Sequence, residues 1–166
     1  MGTVPDDLFY THLDSPVGPL LVAGDGDVLH FLSFASGSKA FGPRETWIER
    51  SEPFAEVKAQ LDAYFAGRLT AFDLPLALHG TPFQNQEWLA LRDIPYGERR
   101  TYCWMAAKLG RPAASRAVGA ANGANPIPII LPCHRLVGAN GSLTGFGGGI
   151  ERKRFLLELE SRTHGT

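Results

Sequence analysis

The spacing of apolar residues changes along the chain. Leu8–Asp14, Gly18–Ala23 and Val28–Phe34 are short apolar runs, separated by Ser15-Pro16-Val17-Gly18 and Gly24-Asp25-Gly26-Asp27. Turn residues at those two places predict a meander of antiparallel strands. Residues 35–46 predict a loop. Phe54, Val57, Leu61, Tyr64 and Phe65 then recur at helical spacing, with Ser51 as the expected N-cap, Pro53 in the first turn and Gly67 past the end. This helix is expected to cover the sheet, and no chemistry is expected in the N-terminal half. Leu69–Gly80, broken by Pro75, reads as a connection.

The second half has a helical rhythm. Thr81-Pro82-Phe83-Gln84 combines a capping threonine, a proline at the first position and a glutamine at the third, which predicts a capping box and a helix to about Arg92. Thr101 caps a further short helix ending near Gly110. Pro112 then opens another, from Ala113 to about Ala121. Two short helices across a glycine-containing turn suggest a helix-turn-helix. The second carries small residues (Ala113, Ala114, Ser115, Ala117, Gly119, Ala120, Ala121), with Arg116 its one long side chain. Such a surface lets a partner approach closely, although alanine is also simply the best helix former. A last helix is expected over 150–160, burying Phe155, Leu156 and Leu159. The fold class expected is α/β (α+β). A small N-terminal antiparallel sheet with its covering helix would occupy residues 1–75, and a mostly helical unit residues 76–166.

With 166 residues and 44% hydrophobic content, the chain can bury a sizeable core. No stretch approaches the roughly 18–20 apolar residues of a membrane span, and residues 1–7 do not resemble a signal peptide. Two cysteines, Cys103 and Cys133, make neither a disulfide framework nor a metal-site spacing. A reducing interior is therefore expected: cytoplasm, or nucleus in a eukaryote. The net charge of −1 hides an asymmetry. Residues 1–91 hold five Lys/Arg against twelve Asp/Glu, and residues 92–166 hold eleven against five. A basic second half suits an anionic partner.

Candidate chemistry centres on Pro132-Cys133-His134-Arg135-Leu136. The run before it, Asn125 to Leu131, is too proline-broken for a central strand and reads as a semi-rigid connection placing Cys133. A thiol attacks as thiolate, and a neighbouring base can generate one. A bare Cys-His pair is equally compatible with an inert buried cysteine. Glu160 could orient His134 by the general logic of a triad. Residues 138–149 contain six glycines and Phe146, a loop able to pass close to a ligand.

The chain resembles the O6-alkylguanine-DNA alkyltransferases. The resemblance rests on Thr81-Pro82-Phe83-Gln84, Ile94-Pro95-Tyr96-Gly97-Glu98, Thr101-Tyr102, Ser115-Arg116-Ala117-Val118-Gly119, Asn125-Pro126-Ile127-Pro128, Pro132-Cys133-His134-Arg135 and Leu143–Gly149. Asp14–Leu20 and Leu61–Phe65 match more loosely. The resemblance implies direct, irreversible transfer of an alkyl group from O6-alkylguanine in double-stranded DNA to Cys133, after the base is flipped. His134 would serve as base through a water, Glu160 would polarise it, and Asn125 would bond near the thiol. Tyr102, Arg116, Ala117, Gly119, Arg135, Leu136, Phe146 and Gly147 would contact DNA or the flipped base, with Arg116 filling the gap in the stack. Backbone carbonyls near Cys133 and Leu136 would read the guanine edge. No cofactor, metal, membrane or obligate protein partner is implied, and the first half lacks the cysteines of zinc-bearing relatives. Two departures stand out: Trp104 replaces the glutamate that closes a capping box in many relatives, and Phe146 replaces a tyrosine. The competing readings are a lesion-binding module without transfer, in which another residue stands at the cysteine position, and a generic cysteine hydrolase.

Overall fold

The computed structural model describes residues 5–37, 42–143, 146 and 148–164. Three strands form where the apolar runs predict them: β1 (Phe9–Leu13), β2 (Leu20–Gly24) and β3 (Leu29–Phe34). β2 pairs antiparallel with both neighbours. A fourth strand, β4 (Ile48–Glu49), adds parallel to β1, giving the order β3-β2-β1-β4. Two residues are too short to produce a periodic signal, so the sequence reading left β4 unassigned. β2 is buried on both faces. Leu20 and Val22 enter the main core, while Ala23 meets Leu8 and Trp47 on the opposite side.

α1 (Ala55–Phe65) covers the sheet through Phe54, Val57, Leu61 and Tyr64, all in the core shared with Leu13, Leu20, Val22 and Leu32. Ser51 does not cap it as expected. Its backbone is already helical (φ −86°, ψ −29°), its side chain bonds no N–H, and a short 3₁₀ turn over Glu52–Phe54 precedes α1. The connection that follows is tied to β3: Leu29 N–H donates to Pro75 O, and Ala77 N–H donates back to Leu29 O, each at 2.9 Å. His79 of this connection meets His30 of β3 at 2.7 Å between ring nitrogens.

α2 (Pro82–Ala90) starts with the predicted capping box, both reciprocal Thr81–Gln84 bonds being formed. β5 (Arg100–Thr101) leads into α3 (Tyr102–Lys108), where Thr101 Oγ1 alone accepts the Trp104 N–H at 3.0 Å. α4 runs from Ser115 to Gly123, starting two residues later than expected. Pro112 belongs instead to a separate turn closed by Ala114 N–H on Arg111 O. α3 and α4 pack together, and α4 also packs on α2. β6 (Leu136–Val137) pairs parallel with β5. α5 spans Ile150–His164, so Glu160 lies inside the helix rather than at its end. Its buried face is Lys153, Leu156, Leu157, Leu159 and Glu160, with Phe155 only half-buried. One hydrophobic cluster runs through both halves, from Leu13 to Leu159. No helix among the described residues is long and apolar enough to cross a membrane.

Candidate active site

Pro126 and Pro128 remove two backbone donors, so the segment before Cys133 is held by its other groups. Asn125 bonds at both ends: Oδ1 accepts from Ile127 N–H at 2.9 Å, and Nδ2 donates to Leu131 O at 2.8 Å. Leu32 N–H of β3 donates to Pro126 O at 2.9 Å. Ile129, buried and β-branched, is forced to φ 75°, a conformation such residues rarely adopt. The segment delivers Cys133 into a 3₁₀ turn over Cys133–Arg135. Burial pushes the thiol up to about 12, while a hydrogen bond from Asn125 pulls it down. The resting sulfur is thus a protonated thiol. Adjacency to His134 alone does not generate the thiolate, contrary to the simplest reading of the pair.

The Cys133 carbonyl accepts from Leu136 N–H and from Asn122 Nδ2 (3.1 Å). These two bonds fix the orientation of the carbonyl that the resemblance assigns to reading the guanine edge. The Leu136 side chain is itself fully buried.

Glu160 is the hub of the site, accepting five hydrogen bonds among the described residues. Oε2 accepts from Tyr64 Oη (2.6 Å), His134 Nε2 (2.6 Å) and Arg135 Nη2 (3.1 Å), and Oε1 accepts from Arg135 Nε (2.9 Å) and Gly97 N–H (3.3 Å). Burial by itself would raise this carboxyl. The hydrogen bonds of His134 and Arg135, together with the Arg135 charge, outweigh it and hold Glu160 well below the usual carboxylate range. An ionised carboxylate only accepts, so His134 must carry its proton on Nε2 and present Nδ1 as a lone pair. Burial lowers the His134 pKa against the pull of Glu160, keeping the ring neutral. Nδ1 is buried with no protein partner among the described residues. That geometry is what a base requires. Arg135, expected at the DNA surface, lies inside instead: it is 6% exposed, doubly bonded to Glu160, and donates Nη1 to Ile94 O at 2.7 Å. A guanidinium so committed serves the carboxylate.

Lys153 is fully buried with Nζ 3.4 Å from Tyr102 Oη. Burial brings its pKa down to about 8, and Cys133 pulls it back up, so thiolate and ammonium favour each other. A cavity of about 40 Å³ opens beside Cys133, lined among others by Asn122, Asn125, Pro128 and Phe146. Gly147 lies outside the described residues. Away from the cavity, Arg116 and Ala117 are exposed on α4. A Cβ built on Gly119 would meet nothing within 4 Å. Asn122, buried at the thiol, sits six residues beyond Arg116, about 9 Å along the same helix. Trp104 lies against two cations, Arg100 at 5.5 Å and Lys108 at 5.6 Å from its ring centroid, and Cys103 Sγ accepts from Ser115 Oγ.

Three participants escaped the sequence reading. Helical spacing assigns Tyr64 to the core, although a buried phenol needs a partner for its hydroxyl. Lys153 precedes Glu160 by seven residues, two helical turns on one face, which was a usable signal. Asn122 had none, since its role depends on how α4 meets the Cys133 turn. The N-terminal half, expected to be chemically silent, supplies Tyr64.

Residues 8–78 match the family model described as "6-O-methylguanine DNA methyltransferase, ribonuclease-like domain", and residues 82–162 match that family's "DNA binding domain". A methylated-DNA–protein-cysteine methyltransferase of Methanosarcina acetivorans is 52% identical over 153 residues, 92% of this chain and 98% of its own. One of Mycobacterium bovis is 53% identical over 154 residues, 92% of each. The crystal structure of Mycobacterium tuberculosis OGT in complex with DNA superposes with a TM-score of 0.88 at 52% identity, over 93% of this chain and 94% of that one. These matches span nearly the whole length, and the chain belongs to the 6-O-methylguanine DNA methyltransferase family.

Proposed function

We propose that this protein repairs duplex DNA by moving the alkyl group of an O6-alkylguanine irreversibly onto Cys133 Sγ. The observation that carries the reading is the chain Cys133–His134–Glu160. A buried thiol and a neutral imidazole with an accepting Nδ1 are adjacent in one 3₁₀ turn, and an ionised carboxylate 2.6 Å from Nε2 fixes the tautomer. A water between Sγ and Nδ1 would carry the thiol proton to His134. The thiolate then attacks the alkyl carbon, the C–O6 bond breaks with its electron pair on oxygen, and the guanine takes up a proton. Tyr102, with the Lys153 amine behind its hydroxyl, is the donor on that side. Both buried charges are balanced as the reaction proceeds: the thiolate against Lys153, the imidazolium against Glu160.

The substrate atom is inaccessible in a stacked duplex, so the nucleotide must leave the helix, at a cost of a few kcal/mol. α4 supplies the surface for this. Ala117 and Gly119 allow close approach of the backbone, and Arg116 enters the stack in place of the lost base. Residues 1–75 and 76–166 divide the work, the first buttressing the site through Tyr64 and the second holding DNA and thiol. Intact mass after mixing with methylated duplex tests the reading. One methyl per chain is expected, a gain of about 14 Da on Cys133, with a plateau at one equivalent because a thioether is not hydrolysed. Several methyls released per chain would mean a hydrolase. Tight lesion binding without mass gain would mean a binding module.

A further inference from the structure

The cavity beside Cys133 is not made by the C-terminal half alone. Leu32, Ser33 and Phe34, the last three residues of β3, form one of its walls. This wall is attached to the opposite one. Leu32 N–H bonds Pro126 O, so β3 is hydrogen-bonded to the segment that delivers Cys133. The Phe34 ring packs on Phe146 with centroids 5.7 Å apart and planes tilted by 58°. Gly148 permits this contact, since a Cβ there would lie 2.6 Å from the Phe34 ring and 2.8 Å from that of Phe146.

Arg152 of α5 locks the arrangement. Its guanidinium lies over the Phe34 ring at 5.2 Å and donates to Val17 O (3.0 Å), Ser36 O (2.7 Å) and Gly148 O (3.0 Å). One side chain thus holds the loop before β2, the loop after β3 and the glycine-rich loop together. Swinging the Phe34 ring aside would break its contacts with the Arg152 guanidinium and with Phe146. The cavity this ring bounds lies directly at Cys133 and is lined on its other sides by Asn122, Asn125 and Pro128.

We infer that Phe34, from the N-terminal sheet, sets the size of the alkyl group that Cys133 accepts, acting as a specificity-determining wall of the acceptor pocket. The inference rests on alkyl transfer being the function. It extends that function by making the sheet part of the substrate site rather than only a support.

The test compares second-order rate constants of Cys133 alkylation, followed by intact mass, on duplexes carrying O6-methylguanine and O6-benzylguanine. Phe34→Leu and Phe34→Ala should raise the benzyl-to-methyl rate ratio by about tenfold or more, the scale on which a hydrophobic pocket discriminates by size. Phe34→Trp should lower it, and covers the case in which Phe34→Ala fails to fold. Ratios equal to wild type in Phe34→Leu and Phe34→Trp would overturn the inference, because a purely structural ring would slow both substrates by one factor. A wild-type chain that takes neither group would instead reject the function itself, and this inference with it.

Discussion

Tyr64 of α1 and Glu160 of α5, 96 residues apart, are joined by a 2.6 Å hydrogen bond between phenol and carboxylate, both fully buried. Burial, followed by the charge of Glu160, raises the Tyr64 pKa far above its ordinary value, so the hydroxyl is a permanent donor. It competes with His134 for the same oxygen, Oε2, and so moderates how strongly Glu160 draws the His134 proton. Tyr64→Phe should leave the packing intact while removing a bond to a buried charge, costing about 1.5–3 kcal/mol in urea unfolding. Transfer from free O6-benzylguanine should also change its pH profile, as the His134 pKa rises without the competing donor. An unchanged profile with the stability loss alone would reduce Tyr64 to a packing residue.

Arg116 and Gly119 separate DNA handling from chemistry. Arg116 is exposed and lies about 9 Å along α4 from Asn122, the residue that holds the Cys133 carbonyl. Arg116→Ala should slow repair of duplex substrate at least tenfold more than transfer from free O6-benzylguanine, which needs no flipping. Gly119→Ala should stabilise the free protein by up to about 1 kcal/mol, because the added methyl meets nothing and alanine favours the helix. The same methyl should weaken duplex binding in a gel-shift titration. Equal duplex affinity in the variant would show that the small-residue face is not the contact surface.

The elements that were legible in the sequence have strong local signals. The Thr81–Gln84 capping box and the turns at Ser15–Gly18 and Gly24–Asp27 depend on residues within four positions of each other. The Cys133–His134–Glu160 alignment follows from the logic of a triad and from the resemblance. The roles of Arg135, Asn122 and Tyr64 were not legible, since each is decided by a partner 11 to 96 residues away. An arginine in a basic half reads as a DNA contact until its guanidinium is found on Glu160. Phe34 likewise reads as strand core until the Asn125–Leu131 segment docks against β3.

Lys153 and Cys133 form a pair in which each stabilises the charged form of the other. Lys153→Met keeps much of the aliphatic stem and removes the amine. It should slow alkylation of Cys133 by both O6-benzylguanine and iodoacetamide by about tenfold, because the thiolate loses the favourable charge of the Lys153 ammonium. Stability should hold or rise, since an amine is no longer desolvated in the core. Unfolding at lower urea concentration would assign Lys153 to structure instead.

Glu87 of α2 is fully buried, and neither carboxylate oxygen has a hydrogen-bond partner among the described residues. Burial raises its pKa to about 8 from 4.5. A raised acid binds its proton more tightly when folded, so stability falls as pH rises from about 4.5 to about 8 and changes no further above that. The slope is at most about 1.4 kcal/mol per pH unit. Glu160 acts in the opposite sense: its depressed pKa stabilises the fold above about pH 4.5 and loses that effect in acid, so it contributes no slope near neutrality. Glu87→Gln removes only the first contribution. The stability difference between variant and wild type should therefore grow by up to about 4 kcal/mol between pH 5 and pH 8, as measured by urea unfolding. Activity should follow, because ionised Glu87 raises the pKa of Cys133. Transfer by the variant should exceed wild type at pH 8 and match it at pH 6. A pH-independent stability difference would mean that Glu87 titrates at the same pH folded and unfolded, so that its burial does not hold the proton.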